Sequence, residues 1–152
     1  GQNIFVGKNV AIKDNVKIQN NVSIFEGVEL NNEVFCGPSV VFTNVLNPRS
    51  FINQKKKFNK TIVKNGVTIG GNSTIICGIT LGKYSFIGAG SVVTKNVKPF
   101  SLNYGNPSIQ KGWVNRNGKK IKMPLIGDAE YECKETKKLY ILKNNNLYEK
   151  NI

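Results

Sequence analysis

The sequence predicts an all-β chain wound as a parallel β-helix of hexapeptide repeats, and three observations carry that expectation. An aliphatic residue returns every six positions through Val63, Ile69, Ile75, Leu81, Ile87 and Val93. A second series follows four residues behind it, through Val67, Ser73, Ile79, Ser85, Ser91 and Val97. Gly70, Gly82 and Gly88 each come directly after the aliphatic residue, where the backbone is expected to bend and a Cβ is costly. A period of six matches neither a helix nor a lone strand; it marks short strands separated by corners and stacked coil upon coil.

The same rule reads back to the N-terminus. Val6, Ile12, Ile18, Ile24, Leu30 and Cys36 form the first series, and Val10, Val16, Val22, Val28, Val34 and Val40 the second. Phe42 would continue the first series, but Val63 lies three residues out of phase with it. Residues 43–62 are therefore expected to be an insertion that leaves the coil and returns. A loop of that length in a tight solenoid points to function. Its sequence is polar, with a Pro48-Arg49 bend and the run Lys55 to Lys57.

Gly1-Gln-Asn-Ile-Phe reads as a hexad lacking its first residue, without an initiator Met, so further coils are expected upstream. The β-helix domain is assigned to residues 1–110. Its second run is expected to end at Lys98-Pro99, because proline at a ladder position stops pairing. Residues 100–110 then read as a turn-rich connector containing Gly105-Asn106-Pro107. From Lys111 the repeat is gone. Residues 111–152 are expected to form a small β-ribbon of short strands with Asn-Gly and Lys-rich turns. Trp113 either packs it on the solenoid or anchors a core of its own.

Composition narrows the function. A hydrophobic share of 39% in 152 residues suits one domain with a narrow core and a small appendage. No apolar run reaches membrane-spanning length and no signal-peptide pattern is present, so no membrane partner is expected. Three cysteines without paired spacing argue against a disulfide framework, and the expected compartment is the cytoplasm. Cys36 falls in an inward slot. The net charge of +13 suits a polyanionic ligand such as a nucleotide diphosphate or coenzyme A, although a solvated lysine surface reads the same way. The lysines are scattered and lack interleaved aromatics, so nucleic acid is not expected. The chain contains no histidine.

Three stretches together point to a family: GPSVVFTNVLNPRS, VKNGVTIGGNSTIICGITLGKYSFIGAGSVVTKNV and GNPSIQKGW. They resemble the left-handed β-helix acyltransferases, and within these the N-acetyltransferases of nucleotide-linked 3-amino sugars. The resemblance covers nearly all of residues 1–113. It implies a left-handed coil, acetyl-CoA as cosubstrate and a UDP- or dTDP-linked amino sugar as acceptor. It also implies a cytoplasmic homotrimer with its sites between subunits, serving O-antigen or surface-layer sugar synthesis.

Many such enzymes carry a general-base histidine in the loop between the two hexad runs. Here the matching stretch is Phe42-Thr43-Asn44-Val45, so Asn44 stands in or beside that position. An amide cannot act as a base, but it accepts a hydrogen bond from an incoming amine and orients its lone pair. An amine is far more nucleophilic than a sugar hydroxyl, so N-acylation is expected.

For the cosubstrate, the resemblance points to backbone N–H groups at Cys77-Gly78 and Gly88-Ala89-Gly90. It also points to Lys95 near the coenzyme phosphates, and to Pro99 and Pro107 beside the adenine. For the acceptor it points to Asn20, Asn21, Glu26 and Arg49, the last pairing with a diphosphate or a sugar carboxylate. Plain structural roles compete with each: a loop cap for Asn44, ordinary corners for the glycines, a solvated Lys95, and an Arg49 that pins its loop.

Some relatives carry a cysteine-rich ribbon at the C-terminal end. Here those positions hold Asn115, Asn117 and a single Cys133 followed by Lys134, Glu135 and Thr136. One cysteine and no histidine cannot supply four zinc ligands, so no metal is expected. A zinc hydratase of the γ-carbonic-anhydrase type, which needs three histidines, is excluded. The alternatives are an acetyltransferase for a different acceptor, and a non-catalytic scaffold or binding protein on the same fold.

Overall fold

Eighteen residues make one turn of this chain. The structure, a computed structural model, describes residues 1–54 and 57–152. The first coil carries β1 (Phe5–Val6), β2 (Ala11–Ile12) and β3 (Lys17–Ile18), and the second β4 (Ser23–Ile24), β5 (Val28–Leu30) and β6 (Phe35–Cys36). The third holds β7 (Val41–Phe42), then the insertion, then β8 (Thr61–Val63) and β9 (Thr68–Ile69). The fourth holds β10 (Thr74–Ile75), β11 (Thr80–Leu81) and β12 (Phe86–Ile87), and β13 (Val92–Val93) opens the fifth.

Each strand pairs in parallel with the one a full coil away: Phe5 with Ser23, Ser23 with Val41, and Thr74 with Val92. The result is a left-handed β-helix with three flat faces. Sheet A holds β1, β4, β7, β10 and β13; sheet B holds β2, β5, β8 and β11; sheet C begins with β3, β6, β9 and β12.

Both aliphatic series point inward. Ile24, Leu30, Cys36, Phe42, Val63, Ile69, Ile75, Leu81 and Ile87 are fully buried in one continuous core. Burial alone pushes the Cys36 thiol up to about 12, so it is a protonated, small apolar group. Serines replace aliphatics in the later coils without opening the core. Ser73 and Ser91 both donate through Oγ to the Gly88 carbonyl, at 3.2 and 2.5 Å. Only the first coil is open, with Val6 46% and Ile12 40% exposed.

The corners correct the expectation placed on Gly70, Gly82 and Gly88. None of the three has a positive φ; the turn residues that do recur every six positions are Asn3, Asn9, Asn15, Asn21, Gly27, Glu33 and Ser39, then Gly66, Asn72, Gly78, Tyr84 and Gly90. Asparagine and glycine tolerate that left-handed geometry best. Gly70 and Gly82 are small because the next coil is close. A Cβ on Gly70 would lie 2.4 Å from the Ala89 nitrogen, and one on Gly82 2.4 Å from that of Pro99. At Gly88 the obstacle is the Tyr104 side chain, 2.8 Å away.

The insertion accounts for the phase break. Val41 pairs with Thr74, 33 residues on rather than 18, so 15 residues have been added between β7 and β8. Fifteen is two and a half hexads, which leaves the later run three residues out of step. Above and below the insertion the ladder is unbroken.

Residues 100–110 are not the connector that the sequence suggested. β14 (Ser101–Gly105) pairs in parallel with β12, then turns at the cis Asn106–Pro107 bond into antiparallel β15 (Ser108–Val114). Pro99 does not end pairing, because it sits in the corner before the strand and not in the ladder. β15 continues sheet C into β16 (Lys120–Ile121), so the strand containing Trp113 belongs to the coil. The separate ribbon is β17 (Ala129–Cys133), β18 (Lys138–Lys143) and β19 (Asn146–Asn151).

Trp113 joins the two. It lies fully buried in a second core with Phe100, Ile121, Cys133, Tyr140, Leu142 and Leu147, and its Nε1 donates to the Pro124 carbonyl at 2.8 Å. Arg116 clamps the same junction. Its guanidinium pairs with Glu149 on β19 at 2.6 Å and donates to the Tyr84 hydroxyl on the coil at 2.6 Å. Burial pushes the Glu149 carboxyl up, but hydrogen bonds from Arg116 and Tyr140 outweigh it, and the group ionises below the usual range of about 4.5.

Two outcomes are expected. Gly70→Ala should lose about 2–3 kcal/mol in chemical denaturation because backbone must move. Gly90→Ala, with open space around it and a φ of 70°, should lose about 1 kcal/mol. A carboxyl held below its unfolded value contributes stability that is complete above that value and is lost as the pH falls through the folded one. Wild type should therefore weaken as the pH drops below about 4.5, and Glu149→Gln should flatten that slope in acid denaturation.

Candidate functional site

The corners stack into three long edges, and the site residues distribute among them. The A–B edge collects Glu26-Gly27, Thr43-Asn44, Cys77-Gly78 and Lys95-Asn96, one pair per coil. The C–A edge collects Asn20-Asn21, Gly71-Asn72 and Ala89-Gly90. Pro99 lies on the B–C edge, and Pro107 is exposed at the tip of the β14–β15 hairpin.

The insertion leaves from the A–B edge and comes back to it. Thr43 still holds the ladder, donating its N–H to the Ile75 carbonyl at 3.0 Å. The chain then departs at Asn44 and returns at Asn59, whose N–H donates to the Asn44 carbonyl at 2.9 Å. This one bond pinches the root of the loop. Asn59 continues onto the corner below, with its Nδ2 3.8 Å from the Cys77 sulfur and its Cβ 3.5 Å from where a Cβ on Gly78 would stand. Phe58 packs over Gly27 on the coil above, where a small cleft of about 320 Å³ also takes in Glu26, Asn9 and Lys60.

Asn44 thus sits between Glu26 and Cys77 along a single edge. It is half-buried, and its side-chain amide makes no hydrogen bond among the described residues. That combination of fixed backbone and unspent amide suits a group that meets a ligand.

Three of the expected backbone donors are already engaged within the coil. The Cys77 and Gly78 N–H groups are not free for a thioester carbonyl. Cys77 donates to Thr43 Oγ1 at 2.9 Å and Gly78 to Thr61 Oγ1 at 3.2 Å. Gly90 donates to the Gly71 carbonyl at 2.8 Å. These corners can offer a ligand close backbone approach, but not those donors.

Nor does one chain bring Asn20, Asn21, Glu26 and Arg49 together. Asn20 Oδ1 accepts the Gln2 N–H at 2.7 Å, and Asn21 pairs with Asn3 at 3.3 Å, so both act in stacking the C–A corners. Glu26 accepts from Asn9 Nδ2 at 2.8 Å on the other edge. Arg49 is exposed on the insertion with no ion pair among the described residues. Lys55 and Lys56, in the expected triple lysine, lie outside the described residues.

Sequence reasoning missed Thr43, Asn59 and Thr61. The signal was a near mirror image, Thr-Asn on the way out and Asn-Lys-Thr on the way back. At the C-terminal end, Asn115, Asn117, Cys133 and Glu135 do converge. Asn115 Nδ2 reaches Cys133 Sγ at 3.5 Å and Glu135 at 3.3 Å, and Lys119 pairs with Glu135 at 2.8 Å. Polar contacts hold this knuckle together. Among the described residues no group of three or more His, Cys, Asp or Glu side chains could hold a metal.

Comparison with known proteins fits this geometry. Residues 60–95 match the family described as bacterial transferase hexapeptide (six repeats). Over 78 residues the chain is 43% identical to the dTDP-3-amino-3,6-dideoxy-alpha-D-galactopyranose 3-N-acetyltransferase of Aneurinibacillus thermoaerophilus, covering 51% of this chain and 40% of that one. Over 118 residues it is 29% identical to the galactoside O-acetyltransferase of Lactococcus lactis, covering 76% and 55%. The chain thus spans about half or less of the length of these relatives. Among solved structures, the hexapeptide-repeat acetyltransferase VCA0836 of Vibrio cholerae, complexed with acetyl coenzyme A, superposes with a TM-score of 0.63 at 27% identity, covering 76% and 70%.

Loss of either corner hydroxyl should be measurable. Thr43→Val leaves the buried Cys77 N–H without its acceptor, and Thr61→Val does the same to the Gly78 N–H. Each should cost about 1–3 kcal/mol by denaturant titration, whereas Thr94→Val, on an exposed position, should cost less than about 0.5 kcal/mol.

Proposed function

We propose that this chain, which belongs to the hexapeptide-repeat family, acts as an acetyl-CoA-dependent N-acetyltransferase on a nucleotide-linked 3-amino sugar. The observation that carries this reading is the unspent Asn44 amide, held by the pinched root of the insertion beside Cys77-Gly78 and in line with Lys95. The relative that acts on a dTDP-linked 3-amino sugar and the neighbour that binds acetyl coenzyme A support the two substrate classes.

The chemistry follows from what the edge offers. The acceptor nitrogen attacks the thioester carbonyl carbon with its lone pair, a C–N bond forms, and the C–S bond breaks. The nitrogen's proton goes to water or to the departing coenzyme A sulfur, giving amide and free thiol. Asn44 Oδ1 accepts a hydrogen bond from the amine and aims its lone pair, which is a positioning gain and needs no base. Small Gly78 lets the thioester lie against the corner. Lys95 is exposed on the same edge one coil along, where its charge suits the coenzyme phosphates.

Ala89, Gly90, Asn20 and Asn21 lie across sheet A, and a second copy would bring them back. The outward strand residues of sheet A are Phe5, Ser23, Val41, Thr74 and Val92. None is charged, in a chain of net charge +13. Three prisms packed on that face around a threefold axis put the A–B edge of one against the C–A edge of the next. Asn44, Gly78 and Lys95 then face Ala89 and Gly90 across a seam, with Asn20 and Asn21 on the same neighbouring edge. This is the homotrimer we propose.

An assay of thiol release with acetyl-CoA and dTDP- or UDP-linked 3-amino sugars tests the reading. Asn44→Ala should lower kcat roughly 10- to 100-fold, with KM for acetyl-CoA nearly unchanged. Turnover within twofold of wild type would contradict the role given to Asn44. Transfer to the matching 3-hydroxy sugar at equal rate would contradict N-acylation.

A further inference from the structure

The B–C edge faces away from the proposed seam, and an open concavity runs from it across the outer face of sheet B to Asn96. A cleft of about 830 Å³ opens there between sheet B and the strands that lead to the ribbon. We propose that it is a second ligand site, separate from the acetyl-transfer site, and that it takes a ring compound bearing a phosphate: a nucleoside or sugar phosphate.

Charge is the first argument. No Asp or Glu occurs between Glu33 and Asp128, a span of 94 residues holding 14 Lys and Arg. Lys64 and Lys83 project into the cleft from this acid-free stretch, and neither forms an ion pair among the described residues. Of the acids around the cleft, Glu29 is spent on Lys60 at 3.0 Å and Glu149 on Arg116 and Tyr140, while Glu33 stands on the same edge beside Gly66 and Tyr84. Lys64 and Lys83 bring positive charge to the lining that no ion pair among the described residues takes up.

Rigidity is the second. Lys83 and Asn65 stand on successive coils at the same corner, where the Tyr84 N–H donates to the Asn65 carbonyl at 2.9 Å. Tyr84 is stacked on buried Phe100 at 5.4 Å, and the Arg116 guanidinium lies over its ring at 4.3 Å. Gly66 leaves the ring its place; a Cβ there would lie 2.3 Å from it. The Tyr84 ring and the Arg116 guanidinium are thus fixed in one wall of the cleft before any ligand arrives, which reduces the ordering cost of binding.

Donor type is the third. Asn96 Oδ1 accepts the Thr80 N–H at 2.8 Å, which leaves its Nδ2 as a donor toward the cleft. Ammonium and amide donors over an apolar floor at Pro99 suit phosphate oxygens attached to a flat or hydroxylated ring.

Isothermal titration of the full chain in saturating coenzyme A tests the proposal. The probes are adenosine 5′-monophosphate, glucose 6-phosphate and inorganic phosphate. At least one ring phosphate should bind ten times more tightly than inorganic phosphate, and which one does so identifies the source. Lys64→Ala/Lys83→Ala should weaken that binding at least tenfold, Lys64→Arg/Lys83→Arg should retain it, and Asn44→Ala should leave it unchanged. No binding of either ring phosphate, or equal binding of all three probes, would overturn the proposal. So would binding that appears only when coenzyme A is left out, because the cleft would then be part of the donor site.

Discussion

Coils that must stack in register at the spacing of parallel strands, about 4.8 Å, set the terms for everything else here. Each turn has to close after eighteen residues, with three inward side chains per set and three corners. At that spacing a corner has room for little. Hence Gly70 and Gly82, where the next coil's backbone would collide with a Cβ, and hence the left-handed turn residue that recurs at every sixth position. The aliphatic interior supplies the favourable burial, but the corners decide whether consecutive turns can meet.

Such a stack has no slack for extra residues, so an insertion has to leave at a corner and return to the same corner. The fifteen added residues do this on the A–B edge. The Asn44–Asn59 backbone bond closes the exit, while the Thr43 and Thr61 hydroxyls take up the N–H groups of the corner below. What remains over is a side-chain amide that makes no hydrogen bond among the described residues, next to a glycine corner and on the same edge as the exposed Lys95. The chemistry we propose uses what the ladder does not consume. In the trimer we propose, an uncharged sheet A flanked by the A–B and C–A edges would give that chemistry its second wall.

Most of the coil could be read in advance, because inward positions repeat with a period that neither a helix nor a simple strand produces. The phase break likewise located the insertion. The corner glycines were found for the wrong reason: sequence shows that a residue is small, not whether its own torsion or a neighbour eighteen residues away demands it. The Asn3, Asn9, Asn15, Asn21 series held the torsional information instead. Pro99 misled because a proline in a corner and a proline in a ladder look alike in sequence, and β14 continued past it. Asn44 could be placed from its position between the hexad runs. Thr43, Asn59 and Thr61 could not, since their value lies in hydrogen bonds to a corner that is remote in sequence. The spread of Asn20, Glu26 and Pro99 over three different edges was equally invisible, because a linear repeat does not say which edge a given corner joins.

The account turns on a seam between copies, and a crystal structure of the protein with coenzyme A tests it most directly. The coenzyme sulfur should lie against Gly78 and Asn44 of one copy, with the pantetheine arm passing Ala89 and Gly90 of the next. Coenzyme A bound wholly within one chain, or copies packed through sheet B or sheet C with the A–B edge open to solvent, would contradict it.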